Sequence, residues 1–261
     1  MRKALPLVLL LAACESRPEL DVVRLERGQV VDCRGGEYRN GKPVELQVRG
    51  DDVLIQNCKI TGSIRTIGMA RTGEGSRLRS SSQSQGHTKR AQVTAPRRLT
   101  VKQSTITSPG YTPIYLGPGT TEATLHNLHL RGSSETVAIY LDAESARNRI
   151  EGNVLDVKAP REQIAVDGSA YNRITGNTFQ WWRNGGIFLY RNCGEGGTIR
   201  HQTPSFNTIT DNVFVGEGPR KVWPNSRDGN RDYCDDDKGK PFGSSADDRD
   251  LGTGNVILRN F

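Results

Sequence analysis

Between Tyr190 and Gln202 the chain gathers a phenol, two guanidiniums, a carboxylate and an imidazole: Tyr190-Arg191-Asn192-Cys193-Gly194-Glu195, then Arg200-His201-Gln202. Such groups, held together, can remove the proton α to a uronate carboxylate. Cations must neutralise that carboxylate before the proton becomes acidic, and a base must stand within hydrogen-bond reach. Arg191 and Arg200 are the candidate neutralisers, His201 or Tyr190 the candidate base, and Tyr140 the candidate acid. A lyase or an epimerase uses this chemistry. A second basic stretch, Thr61–Gln103, carries nine Lys and Arg against Glu74 alone and contains His87, Lys89 and Arg90. It is a second substrate-binding candidate, or a solvated basic loop.

What positions these groups is a repeat. Asn148-Arg-Ile-Glu-Gly-Asn153, Asn172-Arg-Ile-Thr-Gly-Asn177, Asn207-Thr-Ile-Thr-Asp-Asn212 and Asn255-Val-Ile-Leu-Arg-Asn260 share one spelling. Their isoleucines, Ile150, Ile174, Ile209 and Ile257, are 24, 35 and 48 apart, and the shortest step continues upstream through Leu125 and Val101. A period near 24 with strand-like units is a solenoid signature. A second strand signal recurs in Ile114-Tyr-Leu, Ile139-Tyr-Leu, Ile164-Ala-Val and Ile187-Phe-Leu, with the middle side chain outward. Stacking then predicts a column of Gly117, Asp142, Asp167 and Tyr190 beside an outward column of Tyr115, Tyr140, Ala165 and Phe188.

Asp142 and Asp167 would lie roughly 5 Å apart, one rung. Bare carboxylates that close need a cation, a donor or a substrate to compensate them. They bind substrate, cap turns or, at that separation, serve a retaining glycosidase. The aromatic column is a sugar platform or a stiffening cross-strand ladder. Three long insertions, Arg71–Arg98, Asn192–Ser205 and Asn225–Gly252, all follow the second strand of a rung. They therefore leave one corner, which suits a binding face.

The coil spelling resembles the N-x-I-x-x-N-x-F repeats of the right-handed parallel β-helix family, the pectate-lyase-like superfamily, over residues 29–261. The resemblance implies an all-β, single-stranded right-handed solenoid of about seven rungs, with long loops on one corner. It does not imply an activity.

The 261 residues are 34% apolar with 29 Gly and 12 Pro, which suits short strands and tight turns. Arg2 and Lys3 precede an apolar run, Leu5 to Leu11, and then Leu11-Ala12-Ala13-Cys14. This resembles a bacterial lipobox: residues 1–13 a lipoprotein signal peptide, Cys14 lipidated, 14–28 a tether. An ordinary cleaved signal peptide is the alternative. The run is too short to span a bilayer. The expected location is a bacterial cell envelope, lipid-anchored at the outer membrane. Removing residues 1–13 lowers the net charge from +7 to +5. A basic exported protein suits acidic glycans or lipid headgroups rather than nucleic acid in that compartment.

Four cysteines remain. Cys33 and Cys58 are one repeat apart, so adjacent rungs would bring them within bridging distance. Cys193 and Cys234 would form a second bridge; free thiols are the alternative. No zinc spacing is present, and the residues single out no certain cofactor. Calcium at Asp235-Asp236-Asp237 is the other cofactor reading, but that run lacks spaced ligands and reads better as an acidic turn. The partner expected is an acidic polysaccharide, with a non-catalytic glycan-binding or scaffold role as the alternative. The last rung ends uncapped at Phe261, so either the Asn225–Gly252 loop covers it or the protein self-associates there.

Overall fold

The computed structural model describes residues 17–67, 86–191, 202–224 and 252–261. Within them the chain winds as a solenoid of parallel strands with three faces. The base sheet stacks Val30–Asp32, Leu54–Gln56, Thr100–Lys102, Thr124–His126, Arg149–Glu151, Arg173–Thr175, Thr208–Thr210 and Val256–Leu258. The side sheet contains Thr105–Gly110, His129–Ser134, Val154–Lys158, Thr178–Phe179 and Val213–Phe214. The front sheet stacks Asp21–Leu25, Val44–Val48, Ile114–Leu116, Ile139–Leu141, Ile164–Asp167, Ile187–Tyr190 and Val222–Trp223. Lys59–Thr66 rounds the corner and pairs with both side and front neighbours. Each full turn runs base, side, front.

The registers bury like on like. On the base sheet Val101, Leu125, Ile150, Ile174, Ile209 and Ile257 form one inward column. On the front sheet Ile64, Ile114, Ile139, Ile164, Ile187 and Val222 form another. Strand alternation sends every second side chain inside, so a one-residue slip in any coil would expose its whole apolar set.

Asparagines hold the coils in that register. Asn148, Asn172, Asn207 and Asn255 form one ladder, and Asn153, Asn177, Asn212 and Asn260 another. Each side-chain oxygen accepts from the backbone N–H and the side-chain amide of the coil before it; at Asn177 both bonds come from Asn153, at 3.0 and 2.9 Å. The Asn177 amide in turn reaches Ile150 O and Asn212 Oδ1. Upstream of the Asn repeats the ladders end on backbone N–H groups, those of Ala123 and Leu128. Before each second Asn the two-residue turn needs a left-handed residue, supplied by Gly152, Gly176, Asp211 and Arg259 (φ 66°, 65°, 60° and 50°). That requirement, and the ladder after it, is what the repeat spelling encodes.

Cys33 and Cys58 are bridged, with Cα atoms 4.8 Å apart. One expectation changes. The solenoid does not begin at residue 29: Asp21–Leu25, assigned to a tether, pairs in register with Val44–Val48. Lacking any Asn, this stretch carried no repeat spelling. Among the described residues the base and front sheets each hold eight strands, in keeping with a solenoid of about seven rungs. The mostly β chain also carries, among the described residues, one α-helix, α1 at His87–Thr94, and a 3-10 turn at Tyr38–Gly41. At the far end Val256, Leu258 and Phe261 are exposed among the described residues; the loop expected to cover them, 225–251, lies outside those residues.

Asn177→Ala removes four buried hydrogen bonds, those from Asn153 N–H and Nδ2 and those to Ile150 O and Asn212 Oδ1, and takes from the Asn153 N–H its side-chain acceptor. Unsatisfied groups cost about 1–3 kcal/mol each, partly relieved by water. We expect urea unfolding to show a loss of about 3 kcal/mol or more, against about 1 kcal/mol for Asn255→Ala at the half-buried ladder end. Equal losses at the two positions would show that the ladder does not hold the register.

Candidate functional site

The outward column of the front sheet reads Arg65, Tyr115, Tyr140, Ala165, Phe188 and Trp223. Two positions further along each strand stand Asp142, Asp167 and Tyr190, as the sequence implies; Asp167 pairs directly with Tyr190. The expected columns are therefore present. Their chemistry is diagonal. The Tyr115 hydroxyl donates to the Asp142 carboxylate in the next coil, and the Tyr140 hydroxyl donates to Asp167 Oδ2 at 2.6 Å. Asp142 Oδ1 also accepts the Ala143 N–H at 2.7 Å. The carboxylates are not bare: each buried Asp is matched with a phenol donor from the preceding coil. The Tyr115 and Tyr140 rings, half-buried, lie 5.6 Å apart between centroids.

Tyr190 takes a different course. Ala165 leaves space in the outward column, and the Tyr190 ring packs there with Val137 and Phe188. The side chain is 2% exposed. Its hydroxyl donates to Glu162 Oε1 at 2.8 Å and accepts from Arg161 Nη2 at 3.3 Å. Burial, then the charges of Glu162 and Asp167, raise its pKa well above the ordinary tyrosine value, outweighing Arg161. A buried phenol that resists ionisation is a poor base, so the base role read for Tyr190 does not suit its surroundings. The ring instead positions Arg161 and Glu162. Arg161 keeps 37% of its side chain exposed beside this pair. At the other end of the column the Arg65 guanidinium lies 5.3 Å from the Tyr115 ring centre and pairs with Glu45 at 2.9 Å.

The three insertions leave the front sheet after Thr66, Tyr190 and Trp223 and return at Thr100, Thr208 and Val256. All three do leave one corner. Arg97 and Arg98 fasten the first return to Asp51 and Asp52, at 2.7 and 2.6 Å. The buried Glu144, at φ 62°, sits two coils further on, between Gly119 and Gly168 of the flanking coils. Its carboxylate accepts the Thr88 hydroxyl of α1 and the Gln202 N–H, the latter at 3.3 Å, and its backbone oxygen accepts Gln92 Nε2. One glutamate thus joins the returning ends of two insertions.

Of the residues singled out from sequence, Tyr115, Tyr140, Asp142, Asp167 and Tyr190 come together on the front face. Arg191, 5% exposed, follows Tyr190 at its edge. Lys89 and Arg90 lie exposed on α1, which opens with His87. Arg200, His201, Cys14, Cys193, Cys234 and Asp235–Asp237 lie outside the described residues. Among the described residues no group of three or more His, Cys, Asp or Glu could hold a metal ion. Sequence reasoning missed Arg161, Glu162 and Glu144. The signal for the first two was Arg161-Glu162-Gln163 ahead of Ile164, where earlier rungs have the uncharged Tyr111-Thr112-Pro113 and Thr136-Val137-Ala138.

One family model, the right handed beta helix region, matches residues 44–219. No curated protein and no solved structure matches the chain significantly.

The raised pKa of Tyr190 carries a pH signature. Its contribution to stability is fully present below the ordinary tyrosine pKa, about 10, and is lost as pH rises beyond it. Melting temperatures measured from about pH 9 to 12 should fall for the parent and fall less for Tyr190→Phe. Parallel curves would mean that the buried phenol does not resist ionisation.

Proposed function

This chain belongs to the right-handed beta-helix family, and on that footing we propose that its front face binds an acidic polysaccharide and abstracts a proton beside a uronate carboxylate. The observation that carries the reading is the pair of Tyr–Asp contacts in successive coils, with the Arg161 guanidinium close enough to Tyr140 to interact with it electrostatically. Coils repeat about every 4.8 Å, close to the length of one sugar residue, so a polymer lying along the solenoid axis would meet Tyr115 and Tyr140 with neighbouring sugars.

The roles shift from the loop residues to the sheet. Arg161 holds the uronate carboxylate. The Tyr140 oxygen takes the α proton while its own hydroxyl proton passes to Asp167, already its hydrogen-bond partner. Negative charge then moves onto the substrate carboxylate, beside Arg161. Expulsion of the glycosidic oxygen completes a lyase reaction; reprotonation on the other face completes an epimerase reaction. Arg200 and His201 remain candidates for the acid that serves the leaving oxygen. A glycoside hydrolase built on Asp142 and Asp167 has less support, because both carboxylates are buried and engaged by phenols. The protein is further read as an envelope lipoprotein anchored through Cys14, on the strength of Leu11-Ala12-Ala13-Cys14.

The test is an absorbance screen for unsaturated uronate product on alginate, pectate and glycosaminoglycans, with and without Ca²⁺, alongside NMR for C5 inversion. Removing a positioned acid–base group typically costs about 10²–10⁴-fold in rate. Tyr140→Phe and Asp167→Asn should each lower kcat on that scale, and Arg161→Ala should mainly raise KM. New reducing ends without unsaturation would select hydrolysis. Tight binding without turnover would select a glycan-binding protein.

A further inference from the structure

The lipid anchor proposed above has a structural consequence, because the tether behind it is not free. Arg17 pairs with Glu135 and lies over the Tyr111 ring, 5.0 Å from its centre. The Tyr111 hydroxyl donates to Pro18 O at 3.0 Å, and Arg17 Nη1 donates to Gly110 O at 3.4 Å. The aliphatic part of Arg17 occupies the space above Gly110, where any Cβ would fall 2.8 Å from it. The chain is thus fastened at residue 17 to the corner where side sheet turns into front sheet. Only three residue steps separate Cys14 from that point. At about 3.6 Å each, the lipidated sulfur cannot stand more than about 11 Å along the chain from the corner.

The same corner exposes cations toward its C-terminal coils and carries tryptophan there. Its loops in successive coils are 111–113, 135–138, 159–163, 180–186 and 215–221. Toward the C-terminal coils they expose Arg183, Arg220 and Lys221 against Glu217, and Lys158 ends a side strand beside them. Trp181 is half-buried in a cleft of about 780 Å³ with Gln180, Arg183 and Glu217 around it. Trp182 holds that cleft's walls together, edge-on to Phe214 and donating its indole N–H to Val215 O at 2.9 Å. Cations with an amphipathic indole are the groups that settle at a headgroup layer.

We propose that the side-to-front corner rests on an anionic bilayer surface, with the solenoid axis parallel to the membrane. The short fastened tether sets the corner against the lipid, and the cations with Trp181 extend the contact over the C-terminal coils. Front-sheet strands then rise from the membrane, so the Tyr115–Tyr140 face opens sideways along the bilayer. The insertion-bearing corner points away from the lipid. This rests on acylation at Cys14, which is tested separately.

The chain has three tryptophans, Trp181, Trp182 and Trp223, so its own fluorescence can report the contact. The full-length protein is labelled with radioactive palmitate, to establish acylation, and reconstituted in vesicles containing phosphatidylglycerol and brominated lipid. Bromine should quench emission, and Trp181→Phe should remove most of that quenching. In the Trp181→Phe background, Tyr171→Trp on the opposite corner should restore emission but not quenching. Equal quenching at 171 and 181, or none at either, in palmitate-labelled protein overturns the orientation. Absence of palmitate removes the anchor instead. The corner is then judged by sedimentation of the Cys14→Ser chain with the same vesicles. Arg183→Glu and Lys221→Glu should each weaken that binding roughly fivefold or more at low salt. Unchanged binding, or binding insensitive to salt, overturns the proposal.

Discussion

Register is the constraint on which the rest of the molecule depends. A parallel solenoid has no tight hairpins to fix strand pairing, so something else must prevent coils from sliding. Here two asparagine ladders do so. Each Asn side chain bonds both the backbone and the side chain of its neighbour, in a geometry only an in-step stack can satisfy. The penalty for slipping combines unpaired buried amides with exposed isoleucines, and both act at every coil. The Cys33–Cys58 bridge does covalently, at the first coils, what the amides do further along.

Because register is held from inside, the outer face of the front sheet is free to carry groups that would otherwise be costly. Asp167 and Glu162 are essentially inaccessible to water. Each accepts a phenol hydrogen bond, and Arg161 lies beside Glu162. A carboxylate in that position costs stability unless its donor arrives from a neighbouring coil at a fixed offset. The diagonal Tyr–Asp contacts exist only because coil-to-coil spacing is uniform at this face. Slippage by one residue would turn Tyr140 inward and take its hydroxyl away from Asp167.

Much of this was legible in the residues. The period placed Ile150 over Leu125, bridged Cys33 to Cys58, and aligned Asp142, Asp167 and Tyr190. Alternation also gave the correct outward column. What it could not give was the direction a side chain takes after leaving its strand. Tyr190 was expected to face a substrate; it folds back over Ala165 because the missing bulk at that position offers an apolar seat. The partners it finds there, Arg161 and Glu162, precede their strand in a loop with no repeat spelling. Asp21–Leu25 was hidden for a related reason. Front-sheet strands carry no asparagine signal, and among the described residues no coil precedes the first of them for comparison. Glu144 was hidden because a left-handed turn position is ordinarily read as a glycine site.

That last residue shows how function can be attached to a repeat without disturbing it. Gly119 and Gly168 occupy the same corner position in the flanking coils and adopt the left-handed conformation without a steric penalty. Glu144 accepts that penalty, of order 1 kcal/mol, and its carboxylate gains contacts with α1 and with Gln202. A glycine there would satisfy the coil equally well but would leave the ends of both insertions with one fewer attachment beside the front face. The strain therefore makes sense as a requirement of the loops rather than of the solenoid. It marks the corner at which the repeat's own logic yields to that of the face beside it.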